Sequence, residues 1–143
     1  MMVKGITIHN TGNTLTALQN YKMLKDGGRL DACHFLIDDK KIVNTWDENE
    51  PAYHTGKGYD LGNMNTIAIE ICFSKRDLKQ YLKAEEKAMG FVKELLDKYE
   101  LNSSCIYFHR DFNHTSNCPH RILEIYGDKK SFIRKYFEEG LDV

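Results

Sequence analysis

The chain has 143 residues, 41% hydrophobic and 29% charged, which suits one compact domain with a buried core. Two prolines and ten glycines argue against a low-complexity or disordered chain. A net charge of −1 gives no electrostatic reason to expect nucleic acid or an anionic membrane, and no apolar run approaches the roughly 20 residues of a membrane span.

The opening residues, Met1 to His9, run straight into a strand pattern and lack the apolar stretch and small-residue cleavage site of a signal peptide. The expectation is synthesis in a reducing cytoplasm, with any target outside the cell reached after release or export. In the strand Val3–His9, Ile6 and Ile8 share one face, while Thr7 and His9 share the other. Asn10–Asn13 is a polar loop. Leu15, Leu18, Tyr21 and Leu24 recur at helical spacing until Gly27 and Gly28 stop the helix. Ala32–Ile37 and Lys41–Thr45 flank Asp38–Asp39–Lys40 as a hairpin. Residues 46–65 form a long glycine-containing loop carrying Trp46, Tyr53, His54 and Tyr59, and loops of that length in compact domains are usually functional.

Thr66–Phe73 is the clearest strand, with Ile67, Ile69 and Ile71 on one face and Ala68, Glu70 and Cys72 on the other. A long amphipathic helix spans Leu78 to Leu101. The strand Cys105–Phe108 follows, then the loop His109–His120, which holds three of the six histidines. Pro119–Tyr126 reads as a short helix closed by Gly127, and Asp128 caps a last helix over roughly residues 129–139, ended by Gly140. Strands and helices alternate. This predicts an α/β fold, a mixed central sheet flanked by helices in a single domain covering residues 1–143. The four cysteines, Cys33, Cys72, Cys105 and Cys118, show no C-x-x-C pairing and are expected as free thiols.

The chemistry gathers at strand ends. His109 follows a buried strand, and Cys118 precedes Pro119 at the start of a helix, where a thiol is biased toward thiolate. A catalytic zinc takes three protein ligands and keeps a fourth position for water. His109 and Cys118 supply two ligands, and His9, ending the first strand, is the best third. The competing reading makes His9 a surface histidine and His109 a buried, hydrogen-bonded one. Glu70 is a carboxylate in an isoleucine-rich strand, costly to bury without a partner. It reads either as half of an ion pair or as a general base near the metal. His54 and its aromatic neighbours are candidates to floor a substrate groove, and Asn10 and His34 are further candidate substrate contacts. His34 also reads as a plain core histidine. His114 is placed to donate to an oxyanion, and His120 lies in the first turn of a helix.

Five pieces, Ile8–Thr11, His34–Lys40, Ile69–Ser74, Tyr81–Glu86 and Cys118–Arg121, occur in an order that resembles the zinc-dependent N-acetylmuramoyl-L-alanine amidases of the phage-lysozyme and peptidoglycan-recognition-protein type. The closest resemblance is to endolysin catalytic domains. It implies one Zn2+ on His9, His109 and Cys118, with Glu70 as the catalytic carboxylate. It further implies peptidoglycan as substrate, cut between the lactyl group of N-acetylmuramic acid and L-alanine, by a monomer. Two positions depart from the pattern. Cys33 stands where some relatives carry a catalytic tyrosine. Ser116 stands where many have lysine or threonine, leaving a weaker hydroxyl in that catalytic position. The step from His109 to Cys118 is also one residue longer than in several relatives. Two other readings compete: a metal-free cysteine hydrolase using Cys118 and His109, and a peptidoglycan-binding module that does not cut.

Overall fold

A computed structural model of the chain describes residues 1–28, 32–56 and 58–138. Five strands, β1 (Gly5–Asn10), β2 (Phe35–Ile37), β3 (Ile42–Asn44), β4 (Thr66–Ile71) and β5 (Ile106–Phe108), form one sheet in the order β3-β2-β4-β1-β5. β1 is parallel to both β4 and β5, and β2 is parallel to β4. Only β3 runs antiparallel, paired to β2 through the expected hairpin. The helices are α1 (Ala17–Asp26), α2 (Leu61–Asn65), α3 (Leu78–Lys98), α4 (His109–Phe112), α5 (His120–Tyr126) and α6 (Lys129–Ile133). This is the α/β architecture that the alternating pattern predicts.

Alternation within each strand gives the sheet two unlike faces. Ile6, Ile8, Ile67, Ile69 and Ile71 are fully buried on the face covered by α3, where Phe35 meets Phe91 edge-on at 4.8 Å. Phe108 packs on Phe132 of α6 on the same side. The opposite face carries Thr7, His9, Thr66 and Glu70. Here His9 stands directly beside Glu70, and Glu70 directly beside Leu36, in the register of neighbouring parallel strands. The C-terminal ends of parallel strands are where such sheets place their sites.

Local signals account for most boundaries. Thr16 and Gln19 form a capping box on α1, and Asp77 caps α3 through the Gln80 amide. Gly127 closes α5 at φ +86, a conformation that favours glycine. Three boundaries differ from expectation. The long loop ends in α2, capped by Asp60. The residues after β5 coil at once into α4, because the Asp111 carboxylate accepts from the Phe108 amide at 2.7 Å. α6 gives way to a wider π-type turn over Arg134–Glu138. The expected helix end at Gly140 lies outside the described residues. No described helix is long and apolar enough to cross a membrane.

Candidate metal centre

His9 leaves β1 on the polar face, 4% exposed, and His109 opens α4 at the end of β5. Cys118 is brought to them by the α4–α5 loop, whose backbone is pinned at both ends. The Arg110 amide donates to the Cys118 carbonyl at 3.0 Å, and the Cys118 amide donates to Ser116 Oγ at 3.1 Å. The ligand-capable atoms of His9, His109 and Cys118 all lie within 4.8 Å of one another, and His9 Nδ1 is 3.5 Å from Cys118 Sγ. His109 Nε2 is buried and has no hydrogen-bond partner. A buried ring nitrogen without a partner, facing an imidazole and a thiol, is what a divalent cation would satisfy, and two nitrogens with one sulfur are a donor set that suits zinc.

These three side chains and Glu70 line one open cavity of about 530 Å3. Glu70 is half-buried at its edge, next to His9. The cavity continues along an apolar wall of Met23, Leu24 and Leu36, with half-exposed Tyr53 at the rim. Burial, then the neighbouring His54 and His109, holds the His9 imidazole well below its ordinary value, so it is neutral and can ligate. Burial also lowers His109, against a hydrogen bond from its ring to the Thr55 backbone.

The thiolate bias expected for Cys118 is overturned. Burial, and after it the Glu70 carboxylate, push its thiol up. Pro119 occupies the N-cap of α5 rather than its first turn, and α5 has only seven residues.

Several sequence candidates have other partners. The Asn10 side chain lies on the far side of β1: its Oδ1 accepts from the Arg121 and Ile122 amides at 2.9 and 3.3 Å, and its Nδ2 donates to Tyr81 Oη at 3.2 Å. Its side chain thus holds the start of α5, while the residue itself borders the cavity. His34 is fully buried. The Ala68 amide donates to its Nδ1 at 2.9 Å, and its Nε2 donates to the Glu50 carbonyl at 2.7 Å, which makes it a bridge between β2, β4 and the long loop. His114 is exposed and does not line the cavity; Asn113 does. Ser116 is likewise outside the lining, and its oxygen accepts from the Cys118 amide, which helps hold the loop that carries Cys118. His120 faces Ser74 Oγ at 2.9 Å. All four cysteines are free, Cys33 and Cys72 fully buried.

His54 does line the cavity, but both ring nitrogens are engaged, Nδ1 with His9 Nε2 at 2.8 Å and Nε2 with the Gly62 carbonyl at 2.9 Å. Sequence reasoning missed Thr55, Asn63 and Asn113. Asn63 lies in a stretch read as loop, and only its capping spacing three residues after Asp60 signalled structure there.

Residues 1–121 match the family model described as N-acetylmuramoyl-L-alanine amidase. The chain is 37% identical over 86% of its length to the N-acetylmuramoyl-L-alanine amidase CwlA of Bacillus subtilis, and 35% identical over 86% to XlyB of the same organism. It spans less than half of either relative, 45% and 39% respectively. Among solved structures it is similar to PlyL, at 31% identity and a TM-score of 0.86, covering 95% of this chain and 84% of that one. With sequence, fold and donor cluster agreeing, the chain belongs to the N-acetylmuramoyl-L-alanine amidase family.

Proposed function

We propose that the chain is a zinc-dependent amidase domain that hydrolyses the bond between N-acetylmuramic acid and the L-alanine of the peptidoglycan stem peptide. The observation that carries this reading is the convergence of His9, His109 and Cys118 within 4.8 Å, with Glu70 registered beside His9 in the same cavity. His9 Nδ1, His109 Nε2 and Cys118 Sγ would hold the ion. A zinc ion there would supply Lewis acidity toward a water molecule and the scissile carbonyl. Glu70, close to the cluster but not part of it, takes the proton from the attacking water on a carboxylate oxygen and returns it to the leaving L-alanine amine. Tyr53 and the Met23–Leu24–Leu36 wall offer apolar contact to a ligand beside the cluster, and Asn113 offers an amide.

The metal-free thiol reading is disfavoured because burial, and after it Glu70, push the Cys118 thiol up in the metal-free chain and so oppose a resting thiolate. We infer that the domain acts as a monomer and meets the wall after release or export. Elemental analysis of purified protein, paired with a wall digest assayed for newly freed L-alanine amines, tests the proposal. One zinc per chain, chelator-sensitive release of L-alanine amines, and loss of zinc in His109→Ala are expected. Full activity in a metal-free, chelator-treated preparation would overturn it.

A further inference from the structure

The two imidazoles of the cluster are held from behind by one short segment. His54 Nε2 faces the Gly62 carbonyl at 2.9 Å, and a carbonyl can only accept, so the proton of the neutral His54 ring is on Nε2 and its Nδ1 is an acceptor. His9 Nε2, 2.8 Å from that Nδ1, must then donate, which leaves the lone pair of His9 on Nδ1, the atom facing Cys118 Sγ. His109 offers its other nitrogen: its Nε2 is buried and has no hydrogen-bond partner among the described residues, and the Thr55 backbone lies against its ring.

His54 and Thr55 are consecutive, and one side chain fixes both. Asn63, fully buried, accepts on Oδ1 from the His54 amide at 2.6 Å and the Thr55 amide at 2.9 Å. The Thr55 hydroxyl donates to the Asp60 carboxylate at 2.8 Å, and that carboxylate caps α2 through the Asn63 amide. The segment closes on itself around the two residues that touch the cluster.

We propose that His54, keyed with Thr55 by Asn63, is a positioning group that fixes the tautomer of His9 and so presents His9 Nδ1 toward the same point as the unpartnered Nε2 of His109. The inference deepens the zinc reading above and rests on it. Metal-ligating histidines generally gain orientation and basicity from a partner on the far nitrogen, and loss of that partner weakens metal binding about 10- to 100-fold. Here the partner of His9 is a second histidine, itself oriented by a backbone carbonyl.

Nitrogen NMR of the full, metal-free chain reads the tautomers without any variant. His9 is expected protonated on Nε2 and His54 on Nε2; a rapidly averaging mixture or the reverse pattern at either ring overturns the proposal. Zinc affinity, measured by competition with a chromogenic chelator, supplies the second readout. His54→Leu removes the acceptor and should bind zinc about 10- to 100-fold more weakly. His54→Asn places Oδ1 where Nδ1 stood and should recover most of that loss. Equal affinity in His54→Leu and the parent, or no recovery in His54→Asn, overturns the proposal. Should His54→Leu fail to fold, the parent spectrum and His54→Asn still decide. Failure of the parent to bind zinc would sink the zinc reading itself, whereas tight binding with unset tautomers would sink only the outer shell.

Discussion

At the scale of single residues, His9 and Glu70 are adjacent because two parallel strands place them in register, and no flexible loop intervenes. A carboxylate on a strand is therefore held at a fixed distance from the cluster while remaining outside it. Glu70→Gln preserves shape and removes the proton acceptor. It should keep stoichiometric zinc and an unchanged melting temperature while losing about 10^2- to 10^4-fold in kcat for L-alanine release. Parent-like turnover in that variant would remove Glu70 from the mechanism. Strand parity places His9 and Glu70 on one polar face from the sequence alone, because alternation in an isoleucine-rich strand announces which residues face away from the core, and His109 is read from its place just after a buried strand. The same reasoning could not separate His34 from His54. Both are buried histidines on the polar side, and only the fold shows that His34 meets the Ala68 amide while His54 meets His9. Asn10 follows a ligand in sequence, so alternation sends its side chain to the opposite face, toward Tyr81, while the residue still borders the cavity.

At the scale of elements, the stretch from Ala52 to Thr66 does the work that a loop reading hid. Thr55, Asp60 and Asn63 bond to one another through side chains rather than in a strand ladder, so no hydrophobic pattern marks it. Gly62 is its tightest point. A Cβ there would lie 2.5 Å from Thr55 Cγ2 and 2.9 Å from Phe112 of α4. Both neighbours belong to the site's support, since Thr55 backs His109 and Phe112 is on the helix that His109 opens. Gly62→Ala should therefore cost about 1–3 kcal/mol in urea unfolding and also weaken zinc binding. A variant equally unstable but with parent-like zinc affinity would show that the segment supports the fold without steering the ligands. The longer elements were legible for the opposite reason: α3 has both a cap at Asp77 and an apolar stripe that is buried along its length.

At the scale of the whole molecule, one sheet separates a hydrocarbon face from a polar one, and buried polar groups tie the layers together. Glu85 of α3 is fully buried and accepts from Tyr81 at 2.9 Å, Tyr126 at 2.6 Å and Tyr136. Tyr81 in turn receives Asn10, the residue after His9. On the polar face the equivalent tie is His34, and it titrates. Burial holds its imidazole below the ordinary 6.5, because protonation of Nδ1 would break the bond from the Ala68 amide. His9, His54 and His120 are lowered as well, each with burial as the first cause, His54 to about 3. More than about one pH unit above 6.5 these rings are neutral in both folded and unfolded chains and contribute no pH dependence. Below 6.5 the unfolded chain binds protons that the folded chain refuses, so stability falls as pH drops, by up to about 1.4 kcal/mol per pH unit for each ring. Glu48 and Asp128, lowered from 4.5 and 3.8, act only at more acidic pH. Urea midpoints of the metal-free chain should therefore be flat from about pH 8 to about pH 7.5, begin to fall at about pH 7 and decline steeply toward about pH 5. His34→Asn, which keeps an acceptor for Ala68 but cannot charge, should start less stable at about pH 8 by about 1 kcal/mol, for the lost Glu50 bond, and decline less steeply. Parallel declines in parent and variant would mean that His34 binds its proton as readily in the folded chain as in the unfolded one, and would assign the acid limb to the remaining histidines.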